Sequence, residues 1–496
     1  KTDIIRTKSG KIQGYKENGL EIFKGIPFGE PPVGDLRFQP PIPKKPWDGV
    51  YNATEYRFCA FQAYSQLEEF FPKLEPESED CLNLNIWTPA ADKGKRPVML
   101  WIHGGAFLFG GGTDPIYDGS NLARRGDVVV VTINYRLGSF GYLYLPGLPV
   151  NVGSLDQVLA LEWVRDNIEL FGGDPKNVTI FGESAGGFSV VSLCAMPRAK
   201  GLFQRVIAQS APFIDPRKSH QFSKKILKKL GIKMDEIRKL VEIPPEEIID
   251  AQNKVFAKDP TNIIALRPLI DGDTLPIHPL KVFQNGDCAD IDFMIGTTLE
   301  EAKLFTGLDP SMRKIKDNTV TIGMMVMAGI GREKSEAIIN AYKEARKDKY
   351  STEPTEIFNA IITDMMFRIP TTRLLEAQSQ HQPNTYNYLL TWASPALKGI
   401  FGACHALDLP FVFGTYANPM WDEFVGKGPE IKILSEKIMD AWIAFAHTGN
   451  PNHKGLPEWP RYDKEKRATM ALGKDCKVIN AHFEKERAAW DGLLEV

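Results

Sequence analysis

The chain has 496 residues, 43% of them hydrophobic and 25% charged, with 60 Lys and Arg against 62 Asp and Glu for a formal net charge of −2. That balance describes a soluble globular protein, large enough for one big domain with insertions or for several domains. It excludes the basic surplus that phosphate neutralisation needs, so no nucleic-acid partner is expected, and the apolar runs around Val128–Val131 and Phe188–Met196 are too short to span a bilayer.

In chain order, the N-terminal part reads as a meander of short β-segments. The stretches are DIIRTKSGKIQGY (3–15) and GLEIFKGIPF (19–28), with Lys8-Ser9-Gly10 and Asn18-Gly19 as hairpin-type turn signals. A Pro-rich stretch follows over 31–47. From Arg96 the pattern changes to short β-branched or apolar runs ending in small residues: RPVMLWIHGG, DVVVVTINYR, NVTIFGESAGG, QRVIAQSA and DFMIGTT. Helical periodicities lie between several of them. In LDQVLALEWVRDNIELFGG (155–173), Leu155, Val158, Leu159, Val164 and Ile168 fall near one face and Gly172-Gly173 stops the helix. Continuous apolar strands alternating with helices predict an α/β fold with a large, mostly parallel sheet covered on both faces. Two helical segments, 212–285 and 306–380, read as insertions over one edge of that sheet within a single domain spanning 1–496. The second contains GMMVMAGIG. There is no internal repeat and no low-complexity linker.

Six cysteines occur, Cys59, Cys81, Cys194, Cys288, Cys404 and Cys476, without a C-x-x-C pair. That is too few for a disulfide scaffold and wrongly spaced for a metal. N-x-[ST] triplets stand at Asn52 and Asn177, the latter leading straight into an apolar strand. The chain begins at Lys1 and shows no signal peptide, so the compartment stays open between cytoplasmic and secreted after loss of a leader. Leu494-Glu495-Val496 is set aside as a terminal remnant.

The chemistry concentrates in TIFGESAGG (179–187). One serine stands between glycines two residues before and two after, where an apolar strand ending at Phe181 gives way to a helix running from Ala185 to Met196. A sharp strand-to-helix turn forces its central residue into a strained backbone and projects the side chain outward. Glycine at 182 and 186 removes the Cβ atoms that would collide across it. Ser184 is thereby exposed as a nucleophile, beside a helix N-terminus that favours negative charge. An acyl-transfer serine also needs donors for the tetrahedral oxyanion. Ala185 N–H supplies one, and the glycine loop VMLWIHGGAFLFGGG (98–112) supplies Gly105 and Ala106, with Gly104 as a further candidate. His103 precedes the nucleophile and belongs to that loop, so it reads as structural.

Hydrolases with this serine motif order their triad as serine, acid, histidine. Toward the C-terminus lie His381, His405, His447, His453 and His482. His447 ends an amphipathic helix, His453 lies in a polar turn, His482 in a charged tail, and His381 before the strand TYNYLLTW (385–392). His405 follows that strand in the loop GIFGACHALDLPF, at the carboxyl edge where open α/β sheets carry their chemistry. It is the expected base. After DFMIGTT come Glu300 and Glu301; either would orient an imidazole, and spacing does not separate them.

These stretches resemble a known family. FKGIPFGEPPVGDLRF (23–38), SEDCLNLNIW (78–87), WIHGGAF (101–107), NYRLGSFGYL (134–143), FGGDPKNVTIFGESAGG (171–187), GLFQRVIAQSA (201–211), IGTTLEEAKLF (295–305), HALDLPFVFG (405–414) and TGNP (448–451) are similar to the type-B carboxylesterases, the carboxylesterase/cholinesterase family of α/β-hydrolases. The bacterial para-nitrobenzyl-esterase type is the nearest in pattern. The resemblance implies an α/β-hydrolase fold and a serine esterase that needs no metal or organic cofactor. It implies Ser184 as nucleophile, His405 as base, Glu301 as the acid, and Gly105, Ala106 and Ala185 as the oxyanion hole. It implies Glu183 and Ser210 as supporting polar groups and a disulfide between Cys59 and Cys81.

This chain departs from the family pattern at Ala106, where many members have a third glycine, and its methyl narrows the space around the ester. Ala302 replaces the glycine after the acid, which bears on the conformation of that loop. The loop between Cys59 and Cys81 has no tryptophan to hold a quaternary ammonium by cation–π attraction. Tyr64, Phe70 and Phe71 are weaker substitutes, so cholinesterase activity is not expected. The expected partner is a small-molecule ester; the oligomeric state is left open. A lipase on long acyl chains, with 306–380 as a lid, is the alternative. A non-catalytic adhesion-type binding protein of the same fold is disfavoured, because Ser184, Glu301 and His405 are all present.

Overall fold

A computed structural model of the chain describes residues 1–63, 74, 76–212, 220–258 and 265–494. Tyr64, Phe70 and Phe71, parts of the 212–285 segment and Glu495-Val496 lie outside the described residues. The chain packs as two units. One comprises Lys1–Ala208, Ile214–Val282 and Ile443–Gly449; the other comprises Gln209–Phe213, Phe283–Trp442 and Asn450–Val496.

The first unit carries β1 (Ile5–Arg6), β2 (Lys11–Gln13), β3 (Tyr15–Glu17), β4 (Leu20–Pro27), β5 (Val50–Asn52), β6 (Asn83–Thr88), β7 (Arg96–Ile102), β8 (Val129–Ile133), β9 (Gly173–Glu183) and, at its limit, β10 (Arg205–Gln209). Asn18 and Gly19 take φ 48° and 79°, the left-handed pair that a two-residue hairpin needs, and join β3 to β4 as their sequence predicts. The N-terminal segments do not form one meander, however. β1 and β2 pair with β5 in a separate three-stranded sheet, whereas β3 and β4 belong to the large sheet, in the order β10-β9-β7-β8-β6-β4-β3. Gly14 lies at the parting, where a Cβ would come within 2.1 Å of Ile22 O.

β7 runs parallel to both β8 and β9, and these apolar runs are buried throughout. Along β8, β6, β4 and β3 each strand is antiparallel to the next, which makes the sheet mixed. β6 escapes a reading by apolar runs because Asn83 and Asn85 interrupt it. Both are buried with their amides bonded: Asn85 Nδ2 donates to Thr132 Oγ1 at 3.0 Å and Asn83 Nδ2 to Phe58 O at 2.9 Å. Helix α1 (Val152–Asn167) starts three residues before its apolar face and passes through a 3-10 turn to Gly172, at φ 79°. It is buried nearly all round. Its polar residues survive there because Asp156 pairs with the buried Arg136 at 2.7 Å and Gln157 donates to Ser189 Oγ at 3.1 Å.

The second unit orders its strands β14-β13-β12-β11, with β11 (Asp292–Thr298), β12 (Thr385–Leu390), β13 (Thr469–Leu472) and β14 (Lys477–Ile479). The first three are parallel and the last pairing is antiparallel. β13 and β14 are too short for the sequence pattern to announce. The 306–380 segment is helical as expected and builds a core around Val320, Met324, Ile339, Tyr342, Ile361 and Met365. GMMVMAGIG is divided by helix periodicity, not wholly buried: on the helix Asp317–Ala328, Met324 is in that core while Val326 is 69% exposed.

Candidate active site

Ser184 is the joint between β9 and the helix Ala185–Cys194, with φ 56° and ψ −119°. A residue with a side chain rarely holds that backbone unless its surroundings impose it. A Cβ on Gly182 would lie 2.6 Å from the Gly186 carbonyl group, across the turn as the sequence predicts. A Cβ on Gly186 would lie 2.0 Å from Ile102 O at the end of β7. The second glycine therefore makes room for the neighbouring strand, not for the turn itself. The strand runs on to Glu183 and the helix ends at Cys194, two residues away from each predicted limit.

The glycine loop follows β7 and is in the same unit. Gly105, Ala106 and Phe107 have φ 103°, 54° and 63° in succession, and Gly105 O accepts from Leu108 N at 2.8 Å and Phe109 N at 3.1 Å. Gly104 abuts the serine turn: a Cβ there would stand 3.2 Å from Ser184 Cβ and 2.7 Å from Glu183 O. Glu183 is buried beside it. Ala185 N is the first N–H of its helix and has no partner within that helix. His103 is buried and neutral. Burial pushes its pKa down to about 4, Nδ1–H donates to Gly104 O at 2.8 Å, and its ring stacks on Tyr135, whose hydroxyl donates to His103 O at 2.8 Å. It stiffens the loop, as its position in the sequence suggests.

In the second unit, His405 Nδ1–H donates to Glu301 Oε2 at 2.6 Å. Glu301 is fully buried. Its other oxygen accepts from Ser210 Oγ at 2.6 Å and from Thr298 N at 2.7 Å. The carboxylate is thus held on both oxygens and the imidazole's tautomer is fixed with Nε2 as acceptor. Phe367 and Phe305 flank the imidazole, with ring centroids 4.8 and 5.4 Å away. Glu300 does something else: its Oε2 accepts from Ala403 N at 2.9 Å and its Oε1 pairs with Lys303 at 2.7 Å. The two adjacent glutamates, inseparable by spacing, have separate contacts. Ala302 has φ −62° and needs no glycine; its N–H donates to Thr363 Oγ1 at 3.2 Å.

Other predicted positions fall outside these clusters. His447, His453 and His381 each use Nε2 on a backbone carbonyl, those of Gly126, Lys437 and Gln284. Cys59 and Cys81 are buried thiols, not the disulfide that the resemblance implies; Cys59 Sγ is engaged with Leu74 O at 3.2 Å and Pro76 O at 3.6 Å. Sequence reasoning missed Asp408. It is buried three residues after His405, accepts from Gln209 Nε2 at 2.8 Å and Tyr388 OH at 3.2 Å, and Gln209 Oε1 in turn accepts from Trp442 Nε1 at 3.1 Å. Burial pushes the Asp408 carboxyl up to about 6; the Gln209 bond opposes that and the charge of Glu301 adds to it. The available signal was an acid inside the apolar loop HALDLPF. Among the described residues no group of three or more His, Cys, Asp or Glu is arranged to hold a metal, and no helix is long and apolar enough to cross a membrane.

The sequence model of the Carboxylesterase family matches residues 1–490. The chain is 38% identical over 492 residues to the para-nitrobenzyl esterase of Bacillus subtilis (strain 168), covering 98% of this chain and 97% of that protein. It is 34% identical over 487 residues to the phenmedipham hydrolase of Pseudarthrobacter oxydans, covering 95% of each. Among solved structures, a Geobacillus stearothermophilus carboxylesterase superposes with a TM-score of 0.88 at 39% identity, over 98% of this chain and 99% of that one.

Proposed function

The chain belongs to the carboxylesterase family, with its α/β-hydrolase fold and its hydrolysis of carboxylic esters, and from that premise we propose how its own residues divide the work. Ser184 Oγ attacks the ester carbonyl while His405 Nε2 takes its proton. Glu301 keeps Nδ1–H in place and stabilises the imidazolium that forms. The N–H groups of Gly105, Ala106 and Ala185 receive the oxyanion. Protonated His405 then gives its proton to the departing alcohol. Water, deprotonated by the same imidazole, cleaves the acyl-enzyme and returns Ser184. Glu183, buried beside Gly104, is a supporting polar group, and Ser210 holds the carboxylate.

The observation that carries this reading is the 2.6 Å bond from His405 Nδ1 to a glutamate held on both oxygens. A fluorophosphonate probe tests it: the wild type is labelled at Ser184 and loses ester hydrolysis in proportion, and Ser184→Ala is not labelled. Equal labelling of Ser184→Ala sinks the assignment. We take residues 1–496 as one catalytic domain, a reading supported by a family match that runs unbroken over 1–490.

For the substrate we propose esters of small to medium acyl chains, with Ala106 narrowing the space at the carbonyl. The alternative, a lipase on longer chains, draws on the exposed apolar residues Ile322, Val326 and Met327 in the 306–380 segment. Rates across an acyl-length series of chromogenic esters separate the two: a maximum at short chains supports the first, a steady rise to long chains the second.

A further inference from the structure

A cavity in the second unit is lined by none of the groups assigned to catalysis. Of about 40 Å³, it is lined by Thr371, Asn387 and His482 and by three arginines, Arg368, Arg467 and Arg487. No acidic residue lines it. Each arginine is anchored from elsewhere: Arg368 by Asp364, Arg467 by Glu376 at 2.9 Å and Glu484 at 3.4 Å, and Arg487 by Asp491 at 2.6 Å and Glu484 at 2.9 Å. A guanidinium carries five N–H donors. Arg487 uses three of them on these two carboxylates, Nε on Glu484 and one on each terminal nitrogen on Asp491. Donors are left over while the carboxylates hold the forks rigid.

Thr371 supplies the independent observation. It is 3% exposed, it lines this cavity, and its Oγ1 has no hydrogen-bond partner in the protein. A buried hydroxyl without a partner is destabilising by roughly 1–3 kcal/mol, so its presence beside three arginines calls for a ligand with acceptor oxygens. The local field agrees: His482 is held down to about 4, by burial first and then by the positive charges of Arg368, Lys349, Arg346 and Lys477.

We propose that this cavity binds a phosphoryl group, with Arg368, Arg467 and Arg487 neutralising its charge and the Thr371 hydroxyl donating to one of its oxygens. Guanidiniums from three parts of the chain with a fourth donor suit a tetrahedral oxyanion better than a planar carboxylate. A volume of about 40 Å³, enough for roughly three waters, takes a phosphate group and little more. The ligand is therefore inorganic phosphate or the terminal phosphate of a small monoester. The proposal does not rest on the catalytic reading.

Equilibrium dialysis of the whole protein against radiolabelled inorganic phosphate, at fixed sodium chloride and pH 7.5, tests it. The wild type takes up about one phosphate per chain at a saturable site. Thr371→Val loses affinity about tenfold, the value of one hydrogen bond to a charged group. Because no protein group bonds that hydroxyl, the valine variant keeps its fold. Arg487→Met, where circular dichroism shows it folded, also binds at least about tenfold more weakly. Glycerol phosphate that displaces the label identifies a monoester end as the ligand; failure to displace it identifies the free ion. Absence of saturable binding to the wild type, or wild-type affinity in Thr371→Val, overturns the proposal.

Discussion

Ser210 Oγ donates to Glu301 Oε1 at 2.6 Å, on the same carboxylate whose Oε2 accepts the hydrogen bond from His405 Nδ1–H. Ser210 has φ 46° and is fully buried. Its backbone N–H is taken by Gly296 O at 2.8 Å, so the hydroxyl has little freedom to turn elsewhere.

Ser210→Ala removes one of two donors on Glu301 Oε1 and leaves the other, Thr298 N, in place. A lost bond to a charged group corresponds to about 1.5–3 kcal/mol. On the proposed mechanism it appears as a fall in kcat of about tenfold or more with KM little changed, because Ser210 bonds the proposed acid and is assigned no contact with the ester. Steady-state kinetics on a chromogenic acetate ester checks it; an unchanged kcat contradicts it.

The two glutamates separate by experiment as they do by contact. Glu301→Gln keeps the shape but loses the charge that stabilises imidazolium, and kcat falls by about 10³–10⁴, the scale seen when a triad acid is neutralised. Glu300→Gln loses the ion pair to Lys303 and leaves kcat within a few-fold. Its effect is on thermal stability, read by differential scanning calorimetry.

Asp408 makes a prediction about pH. Its carboxyl is raised from an ordinary 3.8 to about 6, so between these values the folded state binds more protons than the unfolded one. The contribution of Asp408 to stability is therefore greatest below about pH 4 and is lost as pH rises to about 6, by on the order of 3 kcal/mol. Asp408→Asn has no such loss. Urea midpoints of wild type minus variant should fall across this window; a flat difference contradicts the assignment.

Gly186→Ala places a methyl 2.0 Å from Ile102 O. Backbone on both sides must shift, at a cost of about 1–3 kcal/mol or more. The displacement falls on the helix that begins at Ala185, so the variant loses both melting temperature and the fraction of chains labelled by a fluorophosphonate. Gly272→Ala is the control. That glycine has φ 88° but nothing within 4 Å of an added Cβ, and the change there affects stability alone.

How far the site was legible depends on how local each part is. Ser184 is readable because nine consecutive residues hold the strand end, both glycines and the helix start. The loop at 104–106 is readable for the same reason. His405 required a rule about which edge of a sheet carries chemistry; of its rivals, His381, His447 and His453 are bonded to backbone carbonyls and His482 lines the arginine cavity. The choice of Glu301 over Glu300 lay beyond spacing: the side chains are adjacent in the chain and only the return of residues 402–405 tells them apart.

Asp408, Gln209 and Tyr388 were invisible as a group because their bonds span 199 and 20 residues. The short strands β13 and β14, four and three residues long, leave no period to detect. The amino-acid order by itself determined the strained serine, the glycine loop and the run of buried strands, since each is enforced by sterics and burial among near neighbours. Tertiary structure alone decided which carboxylate serves the imidazole, which glycine collides with which strand, and where three arginines meet a buried hydroxyl. Those are pairings between groups distant in the chain, and short-range physics places no constraint on them until the chain has folded.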